Sequence, residues 1–102
     1  MNFRISQLQG FLVLAEHLHY ARASRALCVS PPTLAFRVKS LEEGLSTKLF
    51  ERTGKGLGLT EGGREFLPYA QRIIDVTEQA LTCMEEYRLP SPLSGHTSVA
   101  EN

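Results

Sequence analysis

Apolar positions fall into blocks of helical spacing, broken once by two short strand-like runs. Leu8, Phe11, Leu12 and Ala15 share one face at about 100° per residue. They predict a first helix that starts at Ser6, with Gln9 at capping-box distance, and ends near His17. Ala21 to Leu27 reads as a short Ala-rich helix with Ala23, Ala26 and Leu27 inward and Arg22 and Arg25 outward. After the break at Cys28-Val29-Ser30, Pro31-Pro32 opens a third helix running past Leu41, apolar along Leu34, Val38, Leu41 and Leu45. Ser30 suits the N-cap, and proline is tolerated in a first turn whose amides lack partners anyway. Because Pro32 has no N–H, the Ser30 hydroxyl is left with the amide of Thr33. Two helices across so short a break form a helix-turn-helix, over about residues 20–39.

Leu49-Phe50-Glu51-Arg52 and Leu57-Gly58-Leu59-Thr60 flank the glycine-rich turn Thr53-Gly54-Lys55-Gly56, the pattern of a β-wing. Thr60 can cap a long helix reaching about Arg88, in which Pro68 predicts a kink. Its apolar stripe comprises Phe66, Leu67, Ala70, Ile73, Ile74, Thr77, Ala80, Leu81, Met84 and Tyr87. A three-helix domain cannot cover so broad a stripe, so two copies are expected to pair along it as a homodimer. From Leu89-Pro90-Ser91-Pro92 onward a flexible tail is expected. The fold class is therefore mainly α: a winged helix-turn-helix of three helices and a two-stranded wing over 1–60, a dimerisation helix over 61–88 and a tail over 89–102.

The third helix turns an unusual face outward. Thr33, Phe36 and Ser40, flanked by Arg37 and Lys39, set small hydroxyls and an aromatic ring between cations. Hydroxyls and apolar groups can touch base edges and thymine methyls, while Arg and Lys reach guanine or phosphate, so this face suits the major groove of double-stranded DNA. The plainer alternative has Phe36 packed on a neighbouring loop and the charges merely solubilising. Arg22 and Arg25 would lie near the DNA backbone, and Arg52 and Lys55 would reach sugar-phosphate or the adjacent minor groove.

Net charge is zero over 102 residues, which at first argues against a nucleic-acid partner. The distribution reverses that. Residues 20–60 hold seven cations and three acids, whereas residues 61 onward hold three cations and seven acids. Only the first half is built to meet phosphate. The longest apolar run, Phe11 to Ala15, is too short to span a bilayer, and a secretory leader is absent, so a cytoplasmic, nucleoid-associated protein is expected. Cys28 and Cys83 are isolated, which fits a reducing compartment. Cys28 reads as a small buried residue in the turn, with thiol redox chemistry the weaker alternative. Glu16-His17-Leu18-His19 with Cys28 is the sole material for an enzyme or metal site. Without a second ligand cluster, neither catalysis, a metal nor a cofactor is expected.

Several motifs agree in order and spacing with one family: Gln7-Leu8-Gln9-Gly10-Phe11, Ala15-Glu16, His19-Tyr20-Ala21-Arg22-Ala23, Val29-Ser30-Pro31-Pro32-Thr33-Leu34, Leu41-Glu42-Glu43, Leu49 to Gly54 and Leu59 to Gly63. Residues 3–88 resemble the N-terminal DNA-binding region of the LysR-type transcriptional regulators of bacteria. The resemblance implies a winged helix-turn-helix that dimerises through its linker helix and regulates transcription at an interrupted inverted repeat. It places groove contacts on Ser30, Pro31, Pro32, Thr33, Ala35, Phe36, Arg37 and Lys39, and wing contacts on Arg52, Thr53, Gly54 and Lys55. The family's C-terminal effector domain has no counterpart among these residues, so no small-molecule effector site is expected in this chain. An alternative role is that of a short partner heterodimerising with full-length relatives. The chain departs from the family pattern at Pro31, usually glutamine, and Ala35, usually serine. It also has Gly44 rather than a glycine at Ser46, which predicts a shifted end for the third helix.

Overall fold

The computed structural model of the chain describes residues 3–90. Helices α1 (Ile5–His17), α2 (Tyr20–Leu27) and α3 (Pro31–Leu45) are followed by strands β1 (Phe50–Thr53) and β2 (Gly56–Leu59). Helix α4 (Glu61–Met84) closes the order and ends in a 3₁₀ turn, Glu85–Tyr87. The tail expected beyond Leu89 lies, from residue 91 on, outside the described residues.

Leu8, Phe11 and Leu14 of α1 are fully buried and meet Ala23 of α2 and Leu34, Val38 and Leu41 of α3. The crossing of α1 with α3 is close at Gly10, where a Cβ would stand 3.1 Å from Leu34 Cδ1. In α2 the small inward residues are Ala23 and Ser24, whose hydroxyl donates to the Ala21 carbonyl at 3.0 Å. Ala26, expected inward, is exposed, because an eight-residue helix has only one narrow buried face.

The start of α1 also differs from expectation. Its N-cap is Arg4, whose N–H donates to Gln7 Oε1 at 2.9 Å; Ser6 already lies inside the helix. At the other end of the motif, α3 stops at Leu45 with Ser46 in the left-handed region, φ 53°. The absence of glycine at Ser46 therefore does not move the helix end: serine adopts the conformation, and its N–H bonds the Glu43 carbonyl at 3.2 Å. Cys28 likewise sits at φ 58° in the turn between α2 and α3 and is exposed, not buried as expected. A left-handed capping residue turns its side chain off the helix, which here is outward.

β1 and β2 pair antiparallel in the register Phe50↔Leu59 to Thr53↔Gly56. Thr60 caps α4, accepting the Gly63 N–H at 2.9 Å, and its own hydroxyl donates to the Lys48 carbonyl at 2.6 Å. Helix α4 continues through Pro68 as one element. Its two halves have different surroundings. Ala70 and Ile74, expected at a dimer interface, are buried in the chain's own core, and Phe66, Leu67 and Ile73 pack against it half-buried. An edge-to-face contact of Phe3 with Phe66 (6.3 Å between centroids) and a tilted one of Phe11 with Phe66 (5.5 Å) fasten this half. The helix outruns that core, so Ala80, Leu81, Met84 and Tyr87 are exposed while Thr77 is half-buried.

Candidate nucleic-acid interface

Ser30 Oγ accepts the Thr33 N–H at 3.2 Å and donates to Thr33 Oγ1 at 2.9 Å. With Pro31 and Pro32 lacking amides, the Thr33 N–H taken by Ser30 Oγ and the Leu34 N–H bonded to the Ser30 carbonyl at 3.1 Å, the first turn of α3 keeps no free amide donor. Beyond this cap, Pro31, Pro32, Thr33, Ala35, Phe36 and Lys39 are all exposed, Phe36 by 71%. The alternative that Phe36 packs on a loop is thereby overturned: the ring stands free on the surface of α3. Arg37 and Ser40 are half-buried at the margin of the same face. Arg37 Cβ lies 3.8 Å from the position a Cβ would take on Gly10, so the base of its side chain lies against α1.

Arg22 and Arg25 are exposed on α2, which begins at the His19 cap, where Nδ1 accepts the Arg22 N–H at 3.2 Å. That hydrogen bond gives His19 a structural task. In the wing, Arg52, Thr53, Gly54 and Lys55 are exposed. Thr53 Oγ1 accepts the Lys55 N–H and donates to the Gly56 carbonyl, both at 3.1 Å, which stiffens the tip on which Lys55 sits. Gly56, at φ 117°, takes a conformation that a side chain would strain.

Exposed cations thus sit on α2, on α3 and on the wing, and α3 adds an uncharged exposed strip made of Pro31, Pro32, Thr33, Ala35 and Phe36. Such a surface binds phosphate through its cations and offers methyl, ring and hydroxyl groups on the strip. Where the wing root meets α2, burial and the Glu42 charge push the Tyr20 phenol above its ordinary pKa, while Arg52 opposes them. Sequence reasoning quoted Glu42 within the Leu41-Glu42-Glu43 motif and as one acid in a basic stretch, but gave it no task. Its Oε2 accepts the Leu49 N–H at 2.8 Å and the Phe50 N–H at 3.3 Å, and Oε1 lies 3.8 Å from Lys48 Nζ.

The sequence profile of the bacterial regulatory helix-turn-helix proteins of the lysR family matches residues 5–64. The chain belongs to the LysR family. It is 40% identical over 84 residues to YwqM, an uncharacterized HTH-type transcriptional regulator of Bacillus subtilis, covering 82% of this chain and 29% of that protein. To the RuBisCO operon transcriptional regulator of Allochromatium vinosum it is 40% identical over 86 residues, covering 84% and 27%. The BenM DNA-binding domain, solved in complex with catB site 1 DNA, superposes with a TM-score of 0.78 at 25% identity, covering 83% of this chain and 96% of that one. This LysR chain therefore spans less than a third of the length of the two curated relatives named. The matches are to transcriptional regulators and lend no support to the reading of a short heterodimerising partner.

Proposed function

We propose that residues 3–88 are the DNA-binding module of a LysR-type transcription regulator, acting as a sequence-specific binder of double-stranded DNA and not as an enzyme. The observation that carries this reading is the exposed strip on α3 around Phe36, a residue 71% exposed, in the basic half of a chain that also exposes Arg22, Lys39, Arg52 and Lys55. An aromatic ring left in water suits a surface that is covered when bound. That the BenM DNA-binding domain, similar in fold, was solved as a DNA complex supports a DNA partner for this chain.

In this reading α3 enters the major groove. Thr33, Ala35 and Phe36 meet base edges and thymine methyls; Arg37 and Lys39 reach guanine or phosphate; the start of α3 at Ser30, Pro31 and Pro32 approaches the backbone through its dipole and not through free amides. Arg22, with Arg52, Thr53, Gly54 and Lys55 of the wing, holds flanking phosphates and fixes the register without reading sequence. Two copies pair as a homodimer through the outer half of α4, around Thr77, Ala80, Leu81, Met84 and Tyr87, and so present two recognition helices to an interrupted inverted repeat. The exposure of Leu81 (65%), Met84 (56%) and Tyr87 (68%) on one helix supports that pairing. Among the described residues no helix is long and apolar enough to cross a membrane. Work at the nucleoid in the cytoplasm follows from the DNA partner. Chemical footprinting on a bound duplex tests the proposal: two protected half-sites about one helical turn apart are expected, and a single unrepeated patch would refute the dimeric arrangement.

A further inference from the structure

Glu42 lies in the last turns of α3, the end of a helix at which the dipole disfavours a carboxylate, and within the basic half of the chain. Neither helix formation nor attraction to phosphate accounts for an acid there. The wing root does. The side chain is only 12% exposed, and one of its oxygens receives both the Leu49 and Phe50 amides.

The strand register explains why the Phe50 amide needs it. Phe50 faces Leu59, and the Thr60 N–H bonds the Leu49 carbonyl at 3.0 Å. The Phe50 amide is then directed away from β2, toward the open edge of a two-stranded sheet. A carboxylate from α3 supplies the acceptors that a third strand would have offered. From the other side, Thr60 Oγ1 donates to the Lys48 carbonyl, and Gly63 lies tight against the Leu49 backbone. Residues 48–50 are gripped between the recognition helix and the start of α4.

We propose that Glu42 is a positioning residue for DNA binding: by holding the Leu49 and Phe50 amides it sets the wing against α3, so that Arg52 and Lys55 meet phosphates on the duplex that α3 enters. This rests on the DNA-binding reading above. The ionised acceptor strengthens both hydrogen bonds, glutamine keeps an acceptor oxygen at the same reach, and alanine leaves two part-buried amides without a partner.

The test compares Glu42→Ala, Glu42→Gln, the double variant Arg52→Ala/Lys55→Ala and the triple variant, using a duplex selected by the wild-type chain. Affinity is measured as a function of salt, and amide exchange at Leu49 and Phe50 is followed by NMR. Each phosphate contact contributes about 0.9 to the slope of log K against log salt. Glu42→Ala is expected to lower that slope by roughly 2, as the double variant does, with no further fall in the triple variant. It should also unprotect the two amides, and Glu42→Gln should stay within about threefold of wild type in affinity. A merely structural role would lower the melting temperature and leave the slope intact. An unchanged slope in Glu42→Ala, additive loss in the triple variant, or amides that stay protected would overturn the proposal alone. A wild-type chain that binds no duplex would overturn the DNA-binding reading and this inference together.

Discussion

Adjacent glycines at the start of α4 should respond to alanine unequally. Gly62 and Gly63 both lie in the first turn, so each substitution offers up to about 1 kcal/mol of helix propensity. At Gly62 the new Cβ would stand 2.8 Å from Thr47 Cγ2, the end of an exposed side chain that can rotate away. The rotation gives up the Thr47 hydroxyl's bond to the Leu45 carbonyl (3.0 Å), worth about 1 kcal/mol, so the net change is near zero. At Gly63 the Cβ would collide with the Leu49 carbonyl oxygen and stand 2.9 Å from Leu59 Cδ2. That carbonyl is held by the Thr60 N–H at 3.0 Å and cannot retreat without opening the wing root. A clash with fixed backbone belongs at the upper end of the overpacking range, about 3 kcal/mol, and after the gain in propensity it leaves Gly63→Ala roughly 2 kcal/mol less stable than Gly62→Ala. At about 4–8 °C per kcal/mol for a domain of this size, their melting temperatures should differ by roughly 8–16 °C. Thermal unfolding by circular dichroism, at one fixed protein concentration because pairing would shift the midpoint, reads the difference. Coincident melting curves, or a lower midpoint for Gly62→Ala, would refute the reasoning that packs α4 against the wing root.

Other substitutions separate the roles of the remaining parts. Arg52→Ala should weaken binding to every duplex by a similar factor and reduce the salt slope by about 1, as fluorescence anisotropy across a salt series would show. With the proposed pairing through α4, Leu81→Glu should lower the sedimentation coefficient to that of a monomer while leaving the helical spectrum unchanged, since this residue is 65% exposed. Ile74→Glu, placing a charge in the chain's own core, should unfold the domain instead. The Tyr20 phenol is held above its ordinary pKa in the folded chain, so the folded state binds its proton more tightly than the unfolded state does. Its contribution to stability is whole below the unfolded value of 10.0 and is lost as pH rises through the higher folded value, visible as a late phenolate transition absent in Tyr20→Phe.

The helix pair was readable because its signals are local. Ser30 before two prolines, the spacing of Leu34, Val38 and Leu41, and the glycine-rich wing turn each constrain a few neighbouring residues, and the structure repeats them closely. What escaped depends on contacts between distant residues. The stripe on α4 looks uniform in sequence, yet Phe3, Phe11 and the rest of the core cover only its first half, so Ala70 and Ile74 serve the fold and only the outer positions are left uncovered. Glu42 carries no local mark of its task, because its partners are seven and eight residues away across a bend. Ser46 and Cys28 in left-handed backbone show the converse, that a residue other than glycine can terminate a helix when the next amides find carbonyls. Of the candidate interface, the outward residues of α3 and the wing could be named from periodicity. The half-burial of Arg37 and the clamp behind the wing could not, since both follow from how α3 sits on α1 and β1.

Enrichment of bound duplexes from a pool of random DNA, run in parallel with the wild-type chain, Phe36→Ala and Arg52→Ala, tests the central claim most directly. The wild type should select a repeated half-site, Phe36→Ala should change the preference at one or two base pairs by roughly 1–3 kcal/mol each, and Arg52→Ala should recover the same motif at lower affinity. No enrichment over the starting pool, or an identical motif with and without the Phe36 ring, would contradict the account.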